Sequence, residues 1–125
     1  MQWKFSGSRP VYIQIMEQVR SALLLGELVP GGRVPSVREL AAQAQVNPNT
    51  MQRALVELER EGLLIAQGAS GRFVTQDTAI LEAMRRAALD AVVRDCAAQF
   101  QAAGITIDQA VQMLLALKQE EEQHG

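Results

Sequence analysis

The stretch from Arg33 to Glu59, RVPSVRELAAQAQVNPNTMQRALVELE, holds two helix starts, a tight turn between them and a run of amide and hydroxyl side chains. Ser36 and Glu39 form an S-x-x-E capping box, in which the serine oxygen and the glutamate carboxylate each answer an otherwise orphan N–H of the first turn. The spacing predicts a helix over 36–44. A few residues on, Asn47 is a ready cap and Pro48 falls at the first helical position, where its missing N–H costs nothing. This next helix is predicted to run to about Glu61 and to stop at Gly62. Leu40, Ala41, Val46, Met51, Leu55 and Leu58 then face a common core, which is the pattern of a helix-turn-helix.

Working outward, Tyr12, Ile15, Val19 and Leu23 recur at three and four residues, so an amphipathic helix is expected over about 10–25, with Gly26 near its end. Before it, Trp3 and Phe5 alternate as an extended arm laid on the core. ELVPGGRVP has turn chemistry. Beyond Gly62 two short apolar runs, LLIAQ and RFVT, flank the turn GASG and read as a two-stranded hairpin. A helix-turn-helix followed by a hairpin is a winged helix.

From Asp77 to about Ala103 an Ala-rich helix carries Leu81, Met84, Ala88, Val92, Cys96 and Phe100 on one side, and Gly104 ends it. Thr106 and Gln109 make a second capping box, Ile105 is set for a hydrophobic staple, and Val111, Leu114 and Leu115 line the last helix. A helical hairpin this small cannot bury both its apolar faces alone, so it must pack on the winged helix or on another copy of itself. The second option predicts a homodimer, with Leu81, Met84, Ala88, Val92, Phe100, Val111, Leu114 and Leu115 at its interface. The fold class is mainly α with a small β-wing: a winged helix-turn-helix over 1–75 and a helical dimerisation region over 76–125.

The chain has 125 residues, 48% of them apolar, and a net charge of −2. Such a composition suits a packed globular protein. Neither a signal-type apolar segment nor a run of eighteen apolar residues occurs, which predicts a cytoplasmic protein with no membrane partner. One cysteine, Cys96, and one histidine, His124, make neither an internal disulfide nor a zinc cluster, and no cofactor is expected. A catalytic set is equally absent: there is no Ser/His/Asp constellation and no phosphate-cradling Gly loop at a helix start, so an enzyme is not expected. Dividing the charge at Thr75 separates a first part of +2 from a second of −4. A polyanionic partner, if there is one, meets the first part.

On a helical wheel for 48–61, Met51, Ala54, Leu55 and Leu58 point inward, Asn49, Arg53 and Arg60 point outward, and Thr50 and Gln52 flank them. Asn and Gln can read adenine, and Arg can read guanine, in the major groove. Asn47, Asn49, Thr50 and Arg53 are therefore base-reading candidates, while Ser36 and Arg38, beside free helix N–H groups, suit phosphates. Arg72 in the wing is expected at a phosphate or the minor groove, beside a Gly-containing tip that can approach the backbone closely. Glu57, Glu59, Arg60 and Glu61 read as a solvated face. Cys96 reads as a small core hydrophobe.

PSVRELA, VNPNTMQRAL, ELEREGLL and GRFV, in this order and spacing, resemble the winged-helix domain of the GntR family of bacterial transcription regulators. VNPNT with a short two-helix extension is similar to its YtrA subfamily. The resemblance implies a dimeric repressor whose third helix enters the major groove of a near-palindromic operator, with Arg38, Asn47, Asn49, Thr50, Arg53 and the wing tip around Gly68 on DNA. The sequence departs from the family in three places. The wing QGASGRFV lacks a leading arginine and puts Arg72 where threonine is common, Ala44 replaces a leucine, and Leu55 replaces a tyrosine. The competing reading is a winged-helix protein-interaction module without specific DNA binding. The larger members of the family bind small ligands in a longer C-terminal domain, and the 50 residues of 76–125 are too few for a small-molecule effector pocket of that kind.

Overall fold

The computed structural model describes residues 1–124. Its elements follow as α1 (Val11–Leu24), β1 (Arg33–Val34), α2 (Val37–Ala44), α3 (Pro48–Arg60), β2 (Leu64–Ala66), β3 (Arg72–Val74), α4 (Thr78–Ala102) and α5 (Ile107–His124). The strands form one antiparallel sheet in the order β1-β3-β2. The fold is a winged helix-turn-helix followed by two C-terminal helices.

The helix starts arise from the residues that signal them. Ser36 Oγ accepts from the Glu39 N–H at 3.2 Å, and Asn47 Oδ1 accepts from the Asn49 N–H at 2.8 Å. The expected box at Ser36 closes differently, because the Glu39 carboxylate accepts from Ser36 Oγ at 3.1 Å rather than from a backbone N–H. Between α2 and α3 the chain turns at Gln45, whose φ of 56° is left-handed, and the Val46 N–H returns to the Ala41 carbonyl at 3.1 Å. A side chain in that conformation costs about 1–2 kcal/mol, so the packing on either side must hold the turn in place.

That packing centres on α3. Met51, Ala54, Leu55 and Leu58 are fully buried, and α1 and α2 both lie against them through Ile15, Val19, Leu40 and Ala41. Burying a leucine contributes about 1.5–3 kcal/mol, so this one stripe stabilises the unit substantially. Ala44, where the resemblance suggests a leucine, is itself buried in the cluster. Trp3 and Phe5 stack with their rings 6.2 Å apart and pack on the same core. Two glutamines of α1 fix this arm: Gln14 and Gln18 each accept from and donate to its backbone, at Ser6 and Lys4.

β1 is a third strand where the sequence suggested only a turn. Its two residues pair Arg33 with Phe73 and Val34 with Arg72. So short a strand has no alternation to read, and only its distant partner defines it. Gly62, at φ 81°, ends α3 with Ile80 over it; a Cβ there would lie 3.0 Å from Ile80 Cδ1. Asp77 Oδ1 caps α4, accepting from the Ala79 N–H at 3.0 Å. The first turns of α4 then place Ile80, Leu81 and Met84 against the core.

Two compact units result, Met1–Arg85 and a second beginning at Arg86. In the second, Thr106 and Gln109 form the capping box as expected, with the Thr106 N–H to Gln109 Oε1 at 2.9 Å and the Gln109 N–H to Thr106 Oγ1 at 3.1 Å. Ala110 is buried, but Leu89, Val92, Val93, Val111, Leu114 and Leu115 remain exposed in the single chain. Cys96 is half-buried.

Candidate nucleic-acid interface

The outer face of α3 is built by exclusion. Once Met51, Ala54, Leu55 and Leu58 turn inward, the 3.6-residue period leaves Asn49, Gln52 and Arg53 exposed, with Thr50 half-buried beside them. Asn47 is exposed at the cap; its carbonyl oxygen is taken by the Asn49 N–H, which leaves its amide N–H groups as donors. Arg53 lies over the ring of Tyr12 on α1, with its guanidinium carbon 3.7 Å from the centroid. Such a cation–π contact is worth about 0.5–1 kcal/mol at an exposed site and limits the rotamers of the arginine before any ligand arrives.

Ser36 and Arg38 are exposed at the start of α2. Ser36 Oγ already both donates and accepts within its cap. Arg38 makes no ion pair among the described residues. Gly68 opens the 3₁₀ turn Gly68–Ser70 at the wing tip and is exposed.

Arg72 departs from expectation. Successive strand residues alternate faces, so Arg72 shares a face with Val74, which is buried against the core. Its side chain accordingly turns toward α3 rather than outward, pairing Nε with Glu59 Oε1 and donating from Nη2 to Gln52 Oε1 at 3.3 Å. The carboxylates of α3 also depart from a plain solvated face. Glu57 pairs with Arg60 at 2.8 Å, and Glu61 with Arg20 of α1 at 2.6 Å.

These pairs redistribute the charge. Of the arginines within residues 1–75, Arg9, Arg20, Arg60 and Arg72 each have a carboxylate partner, which leaves Arg33, Arg38 and Arg53 without one among the described residues. The three lie on the wing strand β1, at the start of α2 and on the outer face of α3. Arg33 was not singled out by the sequence. It donates from Nε to the Ser70 carbonyl at 3.3 Å and so wraps the wing tip, where Gly71, at φ 102°, leaves room: a Cβ there would meet Arg33 Nε at 3.3 Å. Only the long-range pairing of β1 with β3 brings it there.

An exposed amide and arginine face on the second helix of a helix-turn-helix, with a basic wing beside it, defines the class of winged-helix DNA-binding regulators. Residues 11–74 match the model of the bacterial regulatory proteins of the gntR family, and the chain belongs to that family. It is 34% identical over 109 residues to the uncharacterized HTH-type transcriptional regulator YhcF of Bacillus subtilis, covering 87% of this chain and 90% of YhcF. It is 41% identical over 70 residues to the HTH-type transcriptional repressor YtrA of the same organism, covering 56% of this chain and 54% of YtrA, in keeping with a YtrA-type member. Among solved structures, a GntR family transcriptional regulator from Listeria monocytogenes superposes with a TM-score of 0.80 at 27% identity, over 90% of this chain and 98% of that one. The DNA-binding domain of AraR in complex with operator ORX1 superposes with a TM-score of 0.55 at 29% identity, over 60% of this chain and 96% of that one. The chain is thus a transcriptional regulator and not an enzyme. No helix among the described residues is long and apolar enough to cross a membrane.

Proposed function

We propose that the protein is a repressor that binds a near-palindromic operator as a homodimer, with α3 in the major groove and the wing on the adjacent backbone or minor groove. The observation that carries this reading is the charge distribution of residues 1–75: the arginines left there without carboxylate partners among the described residues are Arg33 on β1, Arg38 at the start of α2 and Arg53 on α3, the helix that carries the amide face of Asn47, Asn49 and Thr50. An acidic chain can in this way offer a basic footprint where it is needed. In this reading Asn47, Asn49, Thr50 and Arg53 meet base edges, and Ser36, Arg38, Arg33 and the wing tip at Gly68 meet the backbone. Arg72 serves from the root of the wing.

Residues 1–75 act as the DNA-binding part and 76–125 as the dimerisation region. The contact between copies runs along Ala88, Val92 and Phe100 of α4 and Val111, Leu114 and Leu115 of α5, several of which are large, apolar and exposed in the single chain. Leu81 and Met84, expected there from the sequence, are half-buried and pack against the core of their own chain. Half-sites roughly one helical turn apart, about 10 base pairs, are expected for a dimeric helix-turn-helix.

The test is selection of the full chain on random duplexes, followed by sedimentation with and without the winning sequence. An enriched two-fold palindrome bound by two chains supports the reading. Binding that is equal for all sequences and falls with salt alike for each contradicts it.

A further inference from the structure

The wing arginine that turned away from the expected position leads to a second role for the same network. Gln52 and Glu59 are seven residues apart on α3, so they lie on one edge of the helix, two turns from each other. Arg72 of β3 spans both, pairing with the Glu59 carboxylate and donating to Gln52 Oε1. The Arg72 and Glu59 side chains are 19% and 26% exposed, whereas Gln52 is exposed, one turn beyond Asn49 and next to Arg53 in sequence.

A free glutamine amide presents an acceptor and two donors, which is the pattern that pairs bidentately with adenine N6 and N7. With its carbonyl drawn toward the wing by a guanidinium, Gln52 turns its N–H donors to whatever approaches α3. An amide that leads with its donors suits guanine, which offers two acceptors, O6 and N7, or thymine O4, over adenine, whose N7 acceptor stands beside an N6–H donor that would go unanswered. Glu59 keeps the guanidinium in place, since its charge fixes Arg72 on the α3 side of the sheet and away from phosphates.

We propose that Arg72 and Glu59 are positioning residues for Gln52, and that through it they set the base accepted at one position of the operator, favouring a guanine or thymine edge over adenine. This inference rests on the reading of the protein as a sequence-specific DNA binder. It gives Arg72 a function that does not require contact with DNA, and it adds Gln52 to the reading face.

The test is random-duplex selection with the full-length wild type, Gln52→Ala, Arg72→Thr and Glu59→Gln, with thermal melting of each protein alongside and salt titrations on the selected duplex. Gln52→Ala is expected to erase the preference at one position. Arg72→Thr is expected to move that same position toward adenine, by about five-fold or more in relative affinity, with the other positions and the salt slope unchanged. Glu59→Gln, which keeps the shape of the side chain, is expected to relax the same position and to steepen the salt slope as the released arginine reaches a phosphate. The inference is overturned if Arg72→Thr weakens all duplexes alike and flattens the salt slope, for Arg72 is then a plain phosphate contact. It is also overturned if a folded Arg72→Thr protein selects the wild-type base unchanged. A wild type that selects no sequence at all overturns the DNA-reading function itself, which separates that failure from the two others.

Discussion

The two units use similar apolar residues to opposite ends. In α3 Leu55 and Leu58 are completely buried, while in α5 Leu114 and Leu115 are 50% and 48% exposed. The difference lies in the supply of partners. α3 has α1, α2 and the sheet on its apolar side, so its stripe is closed within one chain and its polar stripe is free to recognise something. The second unit has too little chain around it to cover its own leucines, and an amphipathic helix left so open calls for a further surface. One unit is complete as a fold and open as a binding face; the other is open as a fold.

The largest effect expected from this contrast is on stability. Leu55→Ala should cost about 3 kcal/mol in denaturant unfolding, because it opens a cavity in a site with no exposed side. Leu114→Ala, changing a half-exposed residue, should leave the winged-helix transition almost where it was and instead move the sedimenting species toward a single chain. Equal losses of stability from the two changes would break the comparison.

A smaller effect is expected at the entrance to α3. Asn47→Ala removes the oxygen that accepts from the Asn49 N–H and should lower stability by about 1 kcal/mol, read from the shift in unfolding midpoint. Smaller still, and of opposite sign, is Gln45→Gly. Glycine adopts the left-handed turn without a Cβ penalty, and although it adds entropy to the unfolded chain, a net gain of about 0.5 kcal/mol is expected. A loss of stability there would mean that the Gln45 side chain supports the turn.

Much of this contrast was legible in the sequence because it rests on local chemistry. Ser36, Asn47-Pro48, Gly62 and Thr106 mark helix ends through hydrogen bonds to residues two or three positions away, and the period of Met51, Leu55 and Leu58 marks the buried face. What was not legible depends on residues far apart in the chain. β1 exists only through β3, and Arg33 reaches the wing tip only through that pairing. The pairing of Arg20 with Glu61, 41 residues on, and of Arg72 with Glu59 decides which arginines remain without a carboxylate. Leu81 and Met84 have the spacing of an interface and the surroundings of a core, and no periodicity separates the two. For Arg72 a local signal did exist. In RFV the period of two puts Arg72 on the same side of the strand as the buried Val74, toward Glu59 of α3.

A division of labour is expected between Arg53, held over Tyr12 on the outer face of α3, and Arg38, at the start of α2. Its most direct test is the affinity of Arg53→Ala and Arg38→Ala for the selected operator and for each of its single-base variants, measured across a range of salt. The expected result is that Arg53→Ala loses discrimination at one base pair, by about 1–3 kcal/mol, while Arg38→Ala weakens every duplex alike and lowers the salt slope by about one. Uniform weakening by both variants, with discrimination intact at every position, would contradict it.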